Sequence, residues 1–407
     1  MLVASDVEAP SGRLAAARVV TAVILVVIGF AFIQRMNGWI WPQALFDARV
    51  FVRALAQIRA GHGPYDLIWG PHPDLDHLPL VYPPTVAWPL QAIAATGVPL
   101  GLVAGLIYVL VFAGMAAGVV ASVRLFSQLT ASRIALAVGL FATFIGGGGM
   151  IAVVTGNVSS LFWGMALAAC VPGFGQGRWA WFHAAVFVTV LFKPYFVALW
   201  IIPVMATGWS WRQFWIGAAL AAMAGAIYAA VMAARPDLTA GWLATLANRV
   251  AAGDDGSSIY ALLRHHIGDK PTLVVAAAYT LVLLAMVLFS RTQGPMRQAA
   301  LIAIAIAANP RLNAYDFCYA AVPAYYVYST RLGDLIGRTR GAWLSLSAAV
   351  VVGVISCALY LQFSWTGKAF LVVFLAGVVG LASQWSLVAR WLPGPNGAAD
   401  KAPPTPA

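Results

Sequence analysis

The sequence predicts an all-α, polytopic membrane protein, and three observations carry that prediction. Of 407 residues, 62% are hydrophobic and only 9% are charged, whereas soluble domains are about a quarter charged. Apolar runs long enough to cross a bilayer recur along the whole chain. The remaining charge gathers in the connections between those runs, most densely just after the first of them.

Taken in order, the chain opens on a tail at 1–17, followed by an apolar run, 18–35. No small-residue cleavage site follows that run, so it reads as a retained span and not as a removed signal peptide. A long polar loop fills 37–98. Further spans are predicted at 99–123, 134–153, 158–172, 180–192, 195–208, 213–234, 272–290, 298–308, 315–330, 342–362 and 368–389, about twelve in all. Within the first loop, 82–97 begins with Pro83 and Pro84, which suit a helix N-terminus. It reads as an interfacial or re-entrant helix. A second long loop fills 235–271, the membrane body runs from 18 to 390, and the Pro-, Gly- and Ala-rich tail 391–407 has the composition of a disordered end.

Charge predicts sidedness. With the N-terminus inside, the short inner connections hold nine basic residues and one acid, Asp334, which satisfies the positive-inside rule. Nine aspartates and five of the six histidines then fall outside. The basic excess, 24 Lys and Arg against 13 Asp and Glu, fits cytoplasmic loops and anionic headgroups. No nucleic-acid-binding pattern accompanies it. Cys170, Cys318 and Cys357 lie in apolar segments and suggest neither a disulfide framework nor a metal site. His62, His72, His77, Asp74 and Asp76 match no metal-ligand spacing, so no metal is expected. The run "FIGGGGM" lacks the preceding strand and the Gly-Lys-Ser or Gly-Lys-Thr of a phosphate loop, and close helix packing suits it better.

Under this topology the polar motifs share one face: the first loop, Thr155 to Asn157, Lys193 to Tyr195, the loop 235–271, Asn309 to Asp316, and the "SWTGK" turn. Several of them resemble glycosyltransferase family 87. "FDARVFVRALAQIRAGHGPYD" followed by "VYPPTVAWPL" looks like that family's first outer loop, through Asp47, Phe51, Gly61, Pro64, Tyr65, Tyr82, Pro83 and Pro84. Lys193-Pro194-Tyr195 is similar to its Lys-Pro motif, and "GSSIYALLR" resembles an Asn-x-Ser segment followed by an arginine, here Arg264. The chain departs from many relatives at Gly156-Asn157-Val158-Ser159 and at Asn309-Pro310-Arg311-Leu312-Asn313.

The resemblance implies a GT-C-type helical bundle in a plasma (inner) membrane, with extracytoplasmic interfacial helices in the first loop and an active site facing the extracytoplasmic side. It implies transfer of a sugar, mannose in most of the family, from a polyprenyl-phosphate donor to a lipid-linked or glycan acceptor, without a further cofactor. Membrane lipids are the remaining expected partners, and the sequence carries no signal of oligomeric state.

Such chemistry needs a base for the acceptor hydroxyl and cations for the leaving phosphate. Asp47 is the candidate base; the alternative is that it pairs with Arg49 or Arg53 or caps the following helix. Lys193, Arg264, His265, His266 and Arg311 are candidate phosphate ligands. Lys193 has the alternative of snorkelling to the headgroups, and the adjacent histidines point in different directions, so at most one acts. Tyr65, Tyr82, Asn157, Asn313 and Asp316 are candidate substrate contacts, Asp316 either holding a sugar hydroxyl or pairing with Arg311. Trp39, Trp41, Tyr65, Trp69, Trp242 and Tyr260 suit an interfacial belt or stacking on a sugar ring. A secondary transporter or flippase is the competing class, but mid-depth charges and repeated halves would be expected of one.

Overall fold

In the computed structural model, residues 46–66, 79–126, 155–251, 256, 258–337 and 365–385 are described. Among them the chain is helical throughout, with no strand. The predicted spans 18–35, 134–153 and 342–362, the four-glycine run, and Asp74, Asp76, His72 and His77 lie outside the described residues.

The first loop supplies two short helices, α1 (Phe46–Arg59) and α2 (Pro84–Ala95). Gly61, in the left-handed region at φ 83°, lets His62 N–H turn back to the Gln57 carbonyl at 2.9 Å and end α1. Pro84 occupies the first turn of α2, where a missing N–H costs nothing. Its twelve residues are too few to cross a hydrocarbon core of about 30 Å in one straight helix. Arg59 joins the two, donating from Nε to the Ala94 carbonyl (3.2 Å) and from Nη2 to that of Val98 (2.6 Å). Its cation thus sits at the negative end of α2.

Next come α3 (Leu100–Phe126), α4 (Ser159–Gln176) and α5 (Ala180–Phe192). The α3–α4 crossing is glycine-lined. A Cβ built on Gly164 would fall 1.8 Å from the Gly114 carbonyl oxygen, and one on Gly114 would fall 2.3 Å from Leu161 Cα. Only glycine permits such backbone approach, the usual device of apolar helices that cannot rely on water to drive them together. The span expected at 195–208 is broken differently. Pro194–Trp200 is a 3-10 helix and α6 (Ile201–Met205) continues it. Pro194 and Pro203 both lack the N–H that one unbroken α-helical ladder would require.

The chain continues through α7 (Trp211–Ala234), α8 (Pro236–Ala251), α9 (Ile259–Ile267), α10 (Asp269–Leu288) and α11 (Gly294–Ala307). The long loop 235–271 is therefore largely two helices. α11 is the central post, with residues 299–306 only 0–2% exposed. A helix apolar on every side is buried on every side, and its alanines let neighbours close in. The expected span 315–330 is three pieces: α12 (Ala314–Phe317), a 3-10 turn (Cys318–Ala320) and α13 (Ala321–Ile336), with Pro323 in the first turn of the last. α14 (Trp365–Ser383) closes the bundle against α11.

Among the described residues three helices, α3, α7 and α10, are long and apolar enough to span a membrane, and several shorter apolar helices accompany them. Large apolar side chains such as Leu102, Val109, Val274 and Leu281 face outward from α3 and α10, as befits helices surrounded by lipid.

The inter-helix turns fall into two groups at opposite ends of the bundle. At one end the turns at 155–158, 193 and 309–313 meet the start of α1. At the other, Arg297 Nε donates to the Met205 carbonyl (2.6 Å), Thr292 Oγ1 to that of Ala382 (2.9 Å) and Gln384 Nε2 to that of Met286 (2.8 Å). Buried arginine here caps a helix C-terminus, where the exposed carbonyls attract a cation.

Candidate functional site

The first group of turns encloses a polar cavity of about 240 Å³. Its wall is assembled from six regions of the chain, five of them supplying Asp47 from the start of α1, Tyr82 from the segment before α2, Asn157 from the turn before α4, Lys193 after α5, and Arg311 with Asn313 after the central post α11. Trp242, Leu246 and Arg249 of α8 complete it.

Local geometry explains each placement. Gly156, at φ 69°, makes the turn that presents Asn157, and a Cβ there would come within 3.0 Å of the Ala48 Cβ. Asn157 Oδ1 accepts from the backbone N–H of Ser159 at 2.9 Å. A backbone N–H can only donate, so the amide oxygen must face it and the amide nitrogen must face the other way. That nitrogen donates to Asp47 Oδ2 at 2.8 Å. The carboxylate is thereby fixed in orientation and still borders the cavity.

Lys193 follows the last residue of α5, in the junction between two shorter apolar helices. Its ammonium donates to Ser159 Oγ and, at 3.5 Å, to Asn157 Oδ1. It also lies 5.6 Å from the centre of the Tyr82 ring, a cation–π distance. Half-buried, it exposes its remaining surface to the cavity. Burial pulls this ammonium down to about 8, while the carboxylates of Asp316 and Asp47 oppose the shift and Arg311 and Arg249 add to it. An ammonium short of water and next to two guanidinium groups is poised to take an anion.

Behind the wall sit groups that hold it. Tyr65 Oη donates to the Tyr82 carbonyl (2.8 Å), and the Phe51 ring packs 4.6 Å from that of Tyr82. Trp242 Nε1 donates to the Val81 carbonyl (3.3 Å). Asp316 is fully buried, accepting from Trp163 Nε1 (2.9 Å) and from the Asn313 N–H (3.2 Å). Asn313 Nδ2 in turn donates to the Arg311 carbonyl (3.2 Å), and Ser258, the N-cap of α9, donates to the carbonyl of Pro310. The 309–313 turn is thus gripped on both sides.

Of the residues singled out in the sequence, Asp47, Tyr82, Asn157, Lys193, Arg311 and Asn313 line one cavity. Tyr65 and Asp316 support its wall without lining it. Arg264, His265 and His266 are not brought there. Arg264 turns toward Asp269 (Nε to Oδ1, 3.8 Å) and over the Tyr260 ring (6.0 Å), and both histidines are exposed in the last turn of α9. The Asp316 oxygens accept from Trp163 Nε1 and from the Asn313 N–H, and the Arg311 charge acts on the same carboxylate.

Arg249 takes the place expected of Arg264. Trp242, Leu246 and Arg249, spaced four and three apart, share one helix face, but that spacing alone does not say that this face meets the cavity. Among the described residues no group of three His, Cys, Asp or Glu could hold a metal. No protein-family model, curated protein or solved structure matches this chain.

Proposed function

We propose that the protein is an integral membrane glycosyltransferase. It takes a sugar, mannose, from a polyprenyl-phosphate donor and passes it to a hydroxyl of a lipid-linked or glycan acceptor at the extracytoplasmic face. The observation that carries this reading is the meeting of one oriented carboxylate, Asp47, with three cations, Lys193, Arg249 and Arg311, around a single cavity at one end of an apolar bundle. The order of motifs that resembles family 87, carried in part by the same residues, fits this reading.

The chemistry divides among these groups. Asp47 accepts the proton of the acceptor hydroxyl as its oxygen bonds to the anomeric carbon of the donor sugar. The bond from that carbon to the phosphate oxygen breaks, and its electron pair leaves with the polyprenyl phosphate. Lys193, Arg249 and Arg311 balance the charge that grows on that phosphate, the guanidinium groups by paired N–H donors and the ammonium as a point charge. Displacement from the face opposite the phosphate inverts the anomeric centre. Asn157 holds the base still, and Tyr82 offers a ring beside the cations.

Purified protein supplied with labelled polyprenyl-phosphate mannose and a membrane-lipid acceptor extract tests this reading. Label should move to the acceptor with wild type and not with Asp47→Asn. Absence of transfer across several polyprenyl-phosphate sugars, together with solute uptake into liposomes carrying the protein, would replace this reading with a transporter.

A further inference from the structure

The end of the bundle opposite the polar cavity carries a second feature. An apolar groove of about 560 Å³ lies between the 3-10 helix and α6 on one side and α7 and α10 on the other. Ile201, Ala221 and Leu284 form part of its walls, and Trp209, Phe214 and Leu288 lie toward the end of the bundle. No ionisable side chain lines it. This does not suit a polar substrate. It suits hydrocarbon, and its size falls within the range of ligand pockets.

The rim has the opposite character. Arg212, two residues before Phe214, and Arg291, three after Leu288, are both exposed. Asp334, the described acid of this end, is engaged by Arg331 at 3.7 Å. Around Arg212 stand Trp209, Trp211 and Trp215, all exposed and in ring contact with one another or with Phe214 at 5.2–5.7 Å. Exposed indoles beside arginines mark the depth of a headgroup layer. A groove for chains that ends near two exposed cations is complementary to a lipid with an anionic head.

We propose that the groove holds an acyl chain of an anionic phospholipid whose headgroup lies over Arg212 and Arg291. The affinity comes from shape and charge, because lipid tails are as apolar as the groove and burial alone gives no preference between groove and bilayer. Headgroup selectivity should then follow the two arginines, roughly fivefold for each, the usual increment for a basic side chain near an anionic surface. This site is separate from the transfer cavity and does not depend on the reading given to it.

The test is a titration of the delipidated full chain in detergent, followed by native mass spectrometry, with phosphatidylglycerol, phosphatidylcholine and a polyprenyl phosphate. Wild type should bind phosphatidylglycerol at least about fivefold more tightly than phosphatidylcholine. The double variant Arg212→Gln, Arg291→Gln should bind the two alike, and Ala221→Phe, which fills the groove, should weaken both. Equal binding by wild type, unchanged selectivity in the double variant, or wild-type binding by Ala221→Phe would overturn the proposal. Displacement of phosphatidylglycerol by the polyprenyl phosphate would overturn the choice of occupant. Should Ala221→Phe not fold, the double variant decides alone, since both of its positions are on the surface.

Discussion

Asp47 accepts a 2.8 Å hydrogen bond from Asn157 Nδ2, joining the start of the first described helix to a turn 110 residues further on. The same asparagine faces Lys193 through its oxygen at 3.5 Å. One neutral side chain therefore stands between the acid and the cation, keeping them in one cavity without letting them pair directly. A carboxylate neutralised by a contact ion pair would be a poorer base and a captive lysine a poorer anion ligand.

Removing the base should separate binding from turnover. Asp47→Asn keeps the shape of the side chain and its contact with Asn157 but cannot take a proton. Transfer should fall by about 10²–10⁴, with donor binding nearly unchanged. Transfer by that variant in membranes with labelled donor, at a rate near wild type, would remove Asp47 from the mechanism.

The pH dependence should report Lys193. Its ammonium is drawn down to about 8 by burial, so it is charged below that value and neutral above it. Phosphate recognition by the free enzyme should weaken as pH rises through about 8, and kcat/KM should show an alkaline limb there. Lys193→Arg keeps its charge to far higher pH, so whatever activity it retains should lack that limb. An identical limb in both proteins would assign it to another group.

Two arginines of the same loop should behave differently. Arg249 lines the cavity and Arg264 faces Asp269 and Tyr260. Loss of a hydrogen bond to a charged group is worth about 1.5–3 kcal/mol, so Arg249→Gln should lower kcat/KM by roughly 10–100-fold. Arg264→Gln should stay near wild type. The reverse ranking in steady-state kinetics would return the phosphate-binding role to α9.

This pair also shows how far the sequence could be read. That the chain is helical and membrane-like follows from composition, and the helix α2 from its leading prolines. The meeting of Asp47, Asn157, Lys193 and Arg311 was legible because loops that share one side of a membrane are forced together. Arg249 against Arg264 was not. Both lie in one polar connection, and the choice depends on how α8 and α9 fold back onto the bundle, a fact of tertiary packing. The break of 195–208 into a 3-10 and an α segment was hidden for a similar reason: hydropathy registers apolar length and is blind to the hydrogen bonds that two prolines remove.

The α3–α4 crossing gives a stability prediction. Gly164→Ala places a methyl against the Gly114 carbonyl and should destabilise the bundle by about 1–3 kcal/mol or more. Gly105→Ala, on the same α3 and with open space around it, serves as the control. Thermal unfolding in detergent should show a lower midpoint for the first and none for the second. Equal midpoints would mean that the two helices do not approach this closely.

The most direct measurement is the position of the donor phosphate in a structure of the Asp47→Asn protein with polyprenyl-phosphate mannose bound. The account predicts phosphate oxygens within hydrogen-bonding reach of Lys193 Nζ and of the Arg249 or Arg311 guanidinium, with the anomeric carbon turned toward residue 47. A phosphate held elsewhere, or a sugar whose anomeric carbon points away from residue 47, would contradict it.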